Sequence, residues 1–302
     1  MGIRINPDMY SIILNGLQVN AQQDNQALQQ IASGQKLNSL SDNPAAVASL
    51  VGLRMESSSD TQYLSNITSM TGSLQVADSA LSSVVEALTS AQSLGVQGAN
   101  GTLNSADQQA IAEQVQGLQQ QILGLANTSY NGEFLFSGTA TSTQPYTAVP
   151  VTPASPSGIT YQGNTNTSSM EISEGQAMPI NLPGSQLFSN GTASVFQSLQ
   201  DLYSALNTNG DVSSAVTEVS KALSYVSAQQ TFYGNSLDRL KNAQTFLTQE
   251  QTQLTENESS TLDADMATAV TNLSQTQATR QALLDAGGNI SQTDLFDYLP
   301  PT

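Results

Sequence analysis

The sequence predicts a mainly α fold with a β-rich insertion: an elongated, antiparallel, coiled-coil-like helical bundle built from the N- and C-terminal segments, with a small β domain at the distal tip. Three observations carry this expectation. Apolar residues recur at steps of three and four toward both ends of the chain and lose that step in the middle. Prolines 145, 150, 153, 156, 179 and 183 crowd into one stretch, which forbids long helices there. One unbroken helical pattern covers residues 212 to 262; at 1.5 Å per residue it implies a helix of about 75 Å, for which a compact globule has no place.

The first helix follows from Leu14, Leu17, Ala21, Asp24, Leu28 and Ile31, a seam that Ala21 and Asp24 weaken. It should stop at Ser33-Gly34, because Gly just past a helix end readily takes the left-handed capping conformation. Ser41-Asp42-Asn43-Pro44 reads as a new start, with Asn43 or Asp42 as cap and Pro44 in the first turn, where its missing N–H costs nothing. A helix from Pro44 to about Met55 follows. The next seam runs through Ile67, Met70, Leu74, Ala77, Leu81, Val84, Leu88 and Ala91, and Gly95, Gly98 and Gly101 are expected to break it. A further helix begins in Asn104-Ser105-Ala106-Asp107 and carries Ile111, Val115, Leu118, Ile122 and Leu125. It ends before Tyr130-Asn131-Gly132, a turn signal.

Residues 139 to 192 combine the prolines with many Gly, Thr and Asn and with short alternating runs such as Ile159-Thr-Tyr161 and Met170-Glu-Ile172. Such runs bounded by turn residues read as short strands. A disordered linker is the plainer alternative; Tyr146, Tyr161, Ile172, Ile180, Leu182, Leu187 and Phe188 supply core material against it.

Helices return from Val195. From Val212 the pattern runs through Val216, Val219, Leu223, Val226, Gln230, Tyr233, Leu237, Leu240, Gln244, Leu247, Gln251 and Leu254. Burying a Leu or Val contributes roughly 1.5–3 kcal/mol, and a buried amide without partners loses roughly 1–3 kcal/mol. The three glutamines therefore thin the seam and call for other helices that partner them. The last pattern, Met266, Ala269, Leu273, Gln277, Arg280 and Leu284, is expected to end at Gly287-Gly288. Helices at both ends with an insertion between them imply a hairpin topology. The expected divisions are 1–40, an assembly helix disordered in the monomer; 41–138 and 193–264, the two parts of the bundle; 139–192, the insertion; and 265–302, a second assembly helix disordered in the monomer.

Composition excludes more than it assigns. Charged residues are 10% of the chain against a typical ~25%. Seven Lys/Arg stand against 24 Asp/Glu, for a net charge of −17, and no basic side chain lies between Met55 and Ser220. Nucleic acid is not an expected partner, because neutralising phosphates needs clustered cations, and an anionic membrane surface is excluded likewise. Without His or Cys there is no histidine base, cysteine nucleophile, Cys/His zinc site or disulfide. No run of about 18 apolar residues, the length that would span a bilayer, occurs in the sequence. Residues 1–7 lack the apolar core of a cleavable secretory signal.

Ile31-Ala-Ser-Gly-Gln-Lys-Leu-Asn-Ser-Leu-Ser-Asp-Asn-Pro-Ala45 resembles the N-terminal signature of the bacterial flagellin family, in which a capped helix end and a new helix start share one short loop. Within that family Pro44 leans toward the hook-filament junction subunits rather than the filament subunits. Arg4-Ile5 with Met9-Tyr10, Tyr130-Asn-Gly-Glu-Phe-Leu-Phe-Ser-Gly138 before Thr143-Gln-Pro-Tyr146, and Ser291-Gln-Thr-Asp-Leu-Phe-Asp-Tyr298 lean the same way. Asp263-Ala-Asp265-Met and the helix after it resemble the family's terminal helix, and Ile159-Thr-Tyr-Gln-Gly-Asn164 resembles a junction-subunit strand. Asn43 departs from the pattern, which often has a second Asp there. The resemblance implies an extracellular structural subunit of the flagellum, exported by the type III apparatus without a cleavable signal and forming a ring at the junction of hook and filament. Its implied partners are copies of itself, a hook-associated protein on the hook side, flagellin on the filament side and an export chaperone. Filament flagellin is the alternative; a carbohydrate-binding adhesin is more distant, since the insertion has few Tyr and no Trp.

No catalytic, metal or cofactor site is expected. Asp263 and Asp265 are two apart on an expected helix and do not share a face, and no Ser-x-x-Lys arrangement offers a serine a base. The candidate residues are those of subunit interfaces: Leu14, Leu17, Leu28 and Ile31 in the first helix; Lys36, Asp42, Asn43 and Arg54 around the capped turn; Met266, Leu273, Arg280, Leu284, Leu295 and Phe296 toward the C-terminus. Arg280 falls in the seam, so a buried ion pair with Asp24 is a further expectation.

Overall fold

The computed structural model of the chain describes residues 7–39, 43–101, 103–191 and 193–296, the side chains of 7–10 and 289–296 excepted. Helices dominate: α1 (Pro7–Ser33), α2 (Pro44–Gly98), α3 (Ser105–Ala126), α4 (Gly184–Leu187), α5 (Val195–Thr208), α6 (Val212–Leu262) and α7 (Met266–Phe296). Between α3 and α4 lie β1 (Ser129–Tyr130), β2 (Glu133–Phe134), β3 (Tyr146–Ala148), β4 (Ile159–Tyr161), β5 (Ser169–Ser173) and β6 (Gln176–Pro179). Long helices with a small strand-bearing region are the architecture the sequence predicts. The chain forms two compact units, Met1–Ser59 with Glu250–Thr302, and Asp60–Gln249.

The unit of residues 60–249 holds the larger core. From α2 it takes Ile67, Met70, Leu74, Leu81, Val84 and Leu88, and from α6 Val219, Val226, Tyr233, Leu240 and Leu247, all almost wholly buried. The seven-residue spacing of Val219 to Leu247 is the strip of α6 that the periodicity predicts, and the alternate positions Leu223, Gln230 and Leu237 are half-buried. Gln230 finds the partner it needs, donating from Nε2 to Asp78 Oδ1 at 3.2 Å. Gln244 is exposed, so it takes nothing from the core.

Two helix boundaries differ from expectation. The helices expected at 44–55 and 67–91 are one, α2, which passes through Gly95 to Gly98. Gly95 is not a breaker: a Cβ there would collide with Val216 and press on Leu202, and one at Gly98 would collide with Leu206. The glycines let α2 approach α5 and α6 closely, and the packing outweighs the ~1 kcal/mol that each Gly costs a helix. The last helix likewise continues through Gly287-Gly288 to Phe296, and Gly287 lies against Ile13.

The strands pair only as neighbours: β1 with β2, β3 with β4, β5 with β6, each pair antiparallel. The first hairpin turns on Asn131 (φ 52°) and Gly132 (φ 85°); positive φ at both central residues is the turn that matches strand twist and that Asn-Gly favours. Tyr146 stands opposite Tyr161 in the second hairpin, and a bulge between Glu171 and Ser173 interrupts the third. Tyr146 also meets Phe188 and Phe196 at ring separations of 5.6 and 5.0 Å. This aromatic cluster ties the strands to α4 and α5, so the region is an ordered insertion rather than a linker.

Candidate assembly surface

The unit of residues 1–59 and 250–302 is built on α1 and α7, which lie side by side. Contacts rise along one helix as they fall along the other: Gly16 lies against Leu283, Asn20 against Thr276, and Lys36 N donates to Leu262 O at 2.6 Å. The pair is therefore antiparallel. Where α1 ends, Gly34 (φ 69°) supplies the left-handed residue, Ala264 N donates to Gly34 O at 2.9 Å, and Gln35 bridges Asp263. These bonds hold the α6–α7 joint to the end of α1. Asp265 caps α7, accepting from the Thr268 hydroxyl at 2.8 Å and from the Ala267 N–H at 3.0 Å. The Thr268 hydroxyl and amide, then Ala267, hold its carboxyl below the usual range.

The most deeply buried residues of the α1/α7 seam are small or polar, with larger apolar side chains half-buried beside them. Asn20, Ala27, Ala269 and Thr276 are buried; Ile13, Leu17, Asp24, Ile31, Leu273 and Leu283 are half-buried. Asn20 Nδ2 donates to Thr276 O at 3.0 Å, and the Thr276 hydroxyl lies 3.2 Å from Asp24 Oδ1. The larger apolar side chains stand outside: Leu14 is 49% exposed, Leu28 45%, Met266 44%, Val270 50% and Leu284 50%. At about 100° per residue these five lie about 70–130° to one side of the seam. In an antiparallel pair the same rotational sense on both helices brings them to one edge. The opposite flank is a cleft of about 380 Å³ between Gln23, Gln26 and Gln30 of α1 and Asn272, Gln275 and Thr279 of α7.

Each expected interface residue can now be placed. Leu17, Ile31 and Leu273 are half-buried in the seam, and Leu14, Leu28, Met266 and Leu284 form the exposed apolar edge. Lys36 is exposed and contributes its backbone to the bridge with Leu262. Asn43 is the cap of α2, accepting from Ala46 N at 3.1 Å; Asp42 lies outside the described residues. Arg54 Nε meets Glu258 Oε1 at 2.8 Å across α2 and α6, with the Arg54 side chain 58% exposed. Of Leu295 and Phe296 only the helical backbone is described.

Two readings of the seam are corrected. It passes through Asn20, Ala27, Thr276 and Leu283, where the sequence pattern pointed to Ala21, Leu28, Gln277 and Leu284. Arg280 is exposed and Asp24 takes the Thr276 hydroxyl, so the expected buried Asp24–Arg280 pair is not formed. The two stripes lie one residue apart on each helix, and at Ala27 and Leu28 the smaller side chain is the buried one. Asn20, Thr276 and Val270 were not singled out from sequence. The one signal for them was a second polar and apolar stripe beside the first, which a single helical period does not separate.

The bacterial flagellin N-terminal helical region matches residues 6–141 and the bacterial flagellin C-terminal helical region matches residues 216–299. Flagellar hook-associated protein 3 of Escherichia coli is 27% identical over 220 residues, 71% of this chain and 67% of its own length. Flagellar hook-associated protein 3 of Salmonella typhimurium is 29% identical over 187 residues, 61% of this chain and 56% of its own length. The chain thus spans about two thirds of one relative and little more than half of the other. The flagellar junction protein of Legionella pneumophila superposes with a TM-score of 0.61 at 14% identity, covering 71% of this chain and all of that one, which shows a shared fold.

Proposed function

Because the chain belongs to the bacterial flagellin family, with both of its terminal helical regions in order, we propose that it is a structural subunit of the flagellum acting where hook meets filament. It works by packing rather than catalysis. The observation that carries this is the burial pattern of α1 and α7: Asn20, Ala27, Ala269 and Thr276 take the most buried positions of their seam while Leu14, Leu28, Met266, Val270 and Leu284 stand on one exposed edge. An apolar edge of that kind is covered in a stable assembly. Copies of the chain around a ring would cover it, with a hook-associated protein below and flagellin above. The likeness to two proteins called hook-associated protein 3 and the Pro44 start of α2, capped by Asn43, support the junction over the filament.

Export by the type III route, with a chaperone, accords with a chain that has no cysteine and so no disulfide to undo. Residues 1 to about 40 and about 265 to 302 would complete their order only on assembly, since the seam between them is thin. Limited proteolysis of the isolated subunit should trim both ends, and full resistance would argue against this. A deletion strain tests the role: hooks retained, filaments lost and flagellin shed to the medium is the expected result. Filaments that are merely shortened would point to filament flagellin.

A further inference from the structure

The cleft on the second flank of α1 and α7 has a chemistry that the apolar edge lacks. Gln23, Gln26, Gln30, Asn272, Gln275 and Thr279 form its walls, and none of them is ionisable. Asn20, Ala27 and Thr276 complete the lining. Asn20 is only 5% exposed; its Nδ2 is used on Thr276 O, but its Oδ1 is buried without a hydrogen-bond partner. The Thr276 hydroxyl is already engaged with Asp24 and with Leu273 O. A buried carbonyl oxygen left without a donor is unfavourable, and the pair itself has no donor committed to it.

Charge decides what can approach. Two copies of a chain with net charge −17 repel wherever carboxylates meet, but the residues lining this cleft carry none. A carboxamide both donates and accepts, so a glutamine strip is complementary to another copy of itself, as a carboxylate strip is not. We infer that this cleft is a second docking site between copies of the chain, filled by a carboxamide-bearing helix face of the neighbouring copy that gives one N–H to Asn20 Oδ1. This rests on the reading of the chain as a flagellar subunit and adds the partner and the chemistry of one of its faces. Val19, 53% exposed, lies on the same flank one turn before Gln23 and extends the contact.

The test changes charge without changing shape. Gln23→Glu, Gln26→Glu and Gln30→Glu together place three carboxylates in the cleft. Gln18→Glu, Gln22→Glu and Gln29→Glu place three on the exposed far side of the same helix. Each triple is expressed in the deletion strain, and copies of the chain on purified hook–basal bodies are counted. The purified chains are also compared by sedimentation over a range of concentrations. Melting of the unassembled chains checks that both triples fold alike. The expected result is at least a tenfold loss of bound copies for the cleft triple and less than a twofold loss for the control, at equal melting temperature. Equal behaviour of the two triples in both measurements would mean that water alone meets Asn20 Oδ1, and would overturn the inference. If the natural chain itself fails to bind hooks, the junction role fails and the sedimentation comparison alone decides the cleft.

Discussion

Replacing Leu14, Leu28 and Leu284 by Gln should uncouple assembly from folding. These side chains are 49, 45 and 50% exposed in the single chain. Full burial of a Leu is worth roughly 1.5–3 kcal/mol, so covering the exposed half of each in an assembly contributes about 0.75–1.5 kcal/mol. Three such sites give about 2.3–4.5 kcal/mol per subunit, or about 40- to 1,600-fold in an equilibrium constant at 1.4 kcal/mol per factor of ten. Gln has nearly the helix propensity of Leu and keeps the Cβ and Cγ. The same substitutions also give up an equal apolar burial within the single chain, so the unassembled chain should still melt cooperatively but lower, by up to about 5–18 °C at about 2–4 °C per kcal/mol. The assay pairs far-ultraviolet circular dichroism melting with the count of copies on purified hook–basal bodies. A fall in melting temperature with unchanged binding would refute the reasoning, because it would place the three leucines in the fold of the single chain rather than between copies.

Three further outcomes are expected. Gly95→Ala should destabilise by about 1–3 kcal/mol through overpacking against Val216 and Leu202, while Gly117→Ala, which meets open space on α3, should stabilise by roughly 0.5–1 kcal/mol; urea unfolding of both variants checks the pair, and equal signs would contradict the close-approach account of Gly95. Asp265 has a depressed carboxyl pKa because Thr268 and Ala267 donate to its ionised form, so its capping of α7 is fully present above the ordinary carboxylate pKa of about 3.9 and is lost as pH falls through the lower folded value. Asp265→Ala should therefore lower helicity at neutral pH and remove that part of the acid titration; an acid limb unchanged in the variant would show the cap to be idle. A double-mutant cycle on Arg54 and Glu258, an exposed pair at 2.8 Å, should give a coupling of about 0.2–1 kcal/mol that fades in high salt, and a larger, salt-independent value would contradict a solvated contact.

Much of this architecture was legible because hydrophobic period and turn chemistry are local. The strip Val219, Val226, Tyr233, Leu240 and Leu247 is buried where its seven-residue spacing places it, and Asn131-Gly132 makes the hairpin turn that its residue types favour. What was not legible depended on a neighbour distant in sequence. Gly95, Gly98 and Gly287 read as helix breakers, yet each sits where another helix comes close. The glycine pattern cannot distinguish a stop from a close approach until the partner is known. Gln230 read as a defect and is met by Asp78, 152 residues away.

The seam of α1 and α7 shows the same limit in a more useful form. Periodicity measures how much apolar surface a helix must cover, not which neighbour covers it. On α1, the Leu14–Leu28 stripe and the Asn20–Ala27 stripe are separated by one residue, and size alone favours the first. The single chain buries the second. A helix pair with only itself to pack against gains little by giving its most buried positions to Asn20, Ala27, Ala269 and Thr276 while Leu14, Leu28, Val270 and Leu284 stay about half-exposed. The disagreement between the stripe that periodicity selects and the stripe that the chain buries is therefore itself a signature of assembly: the apolar stripe is reserved for a surface that a single copy does not contain.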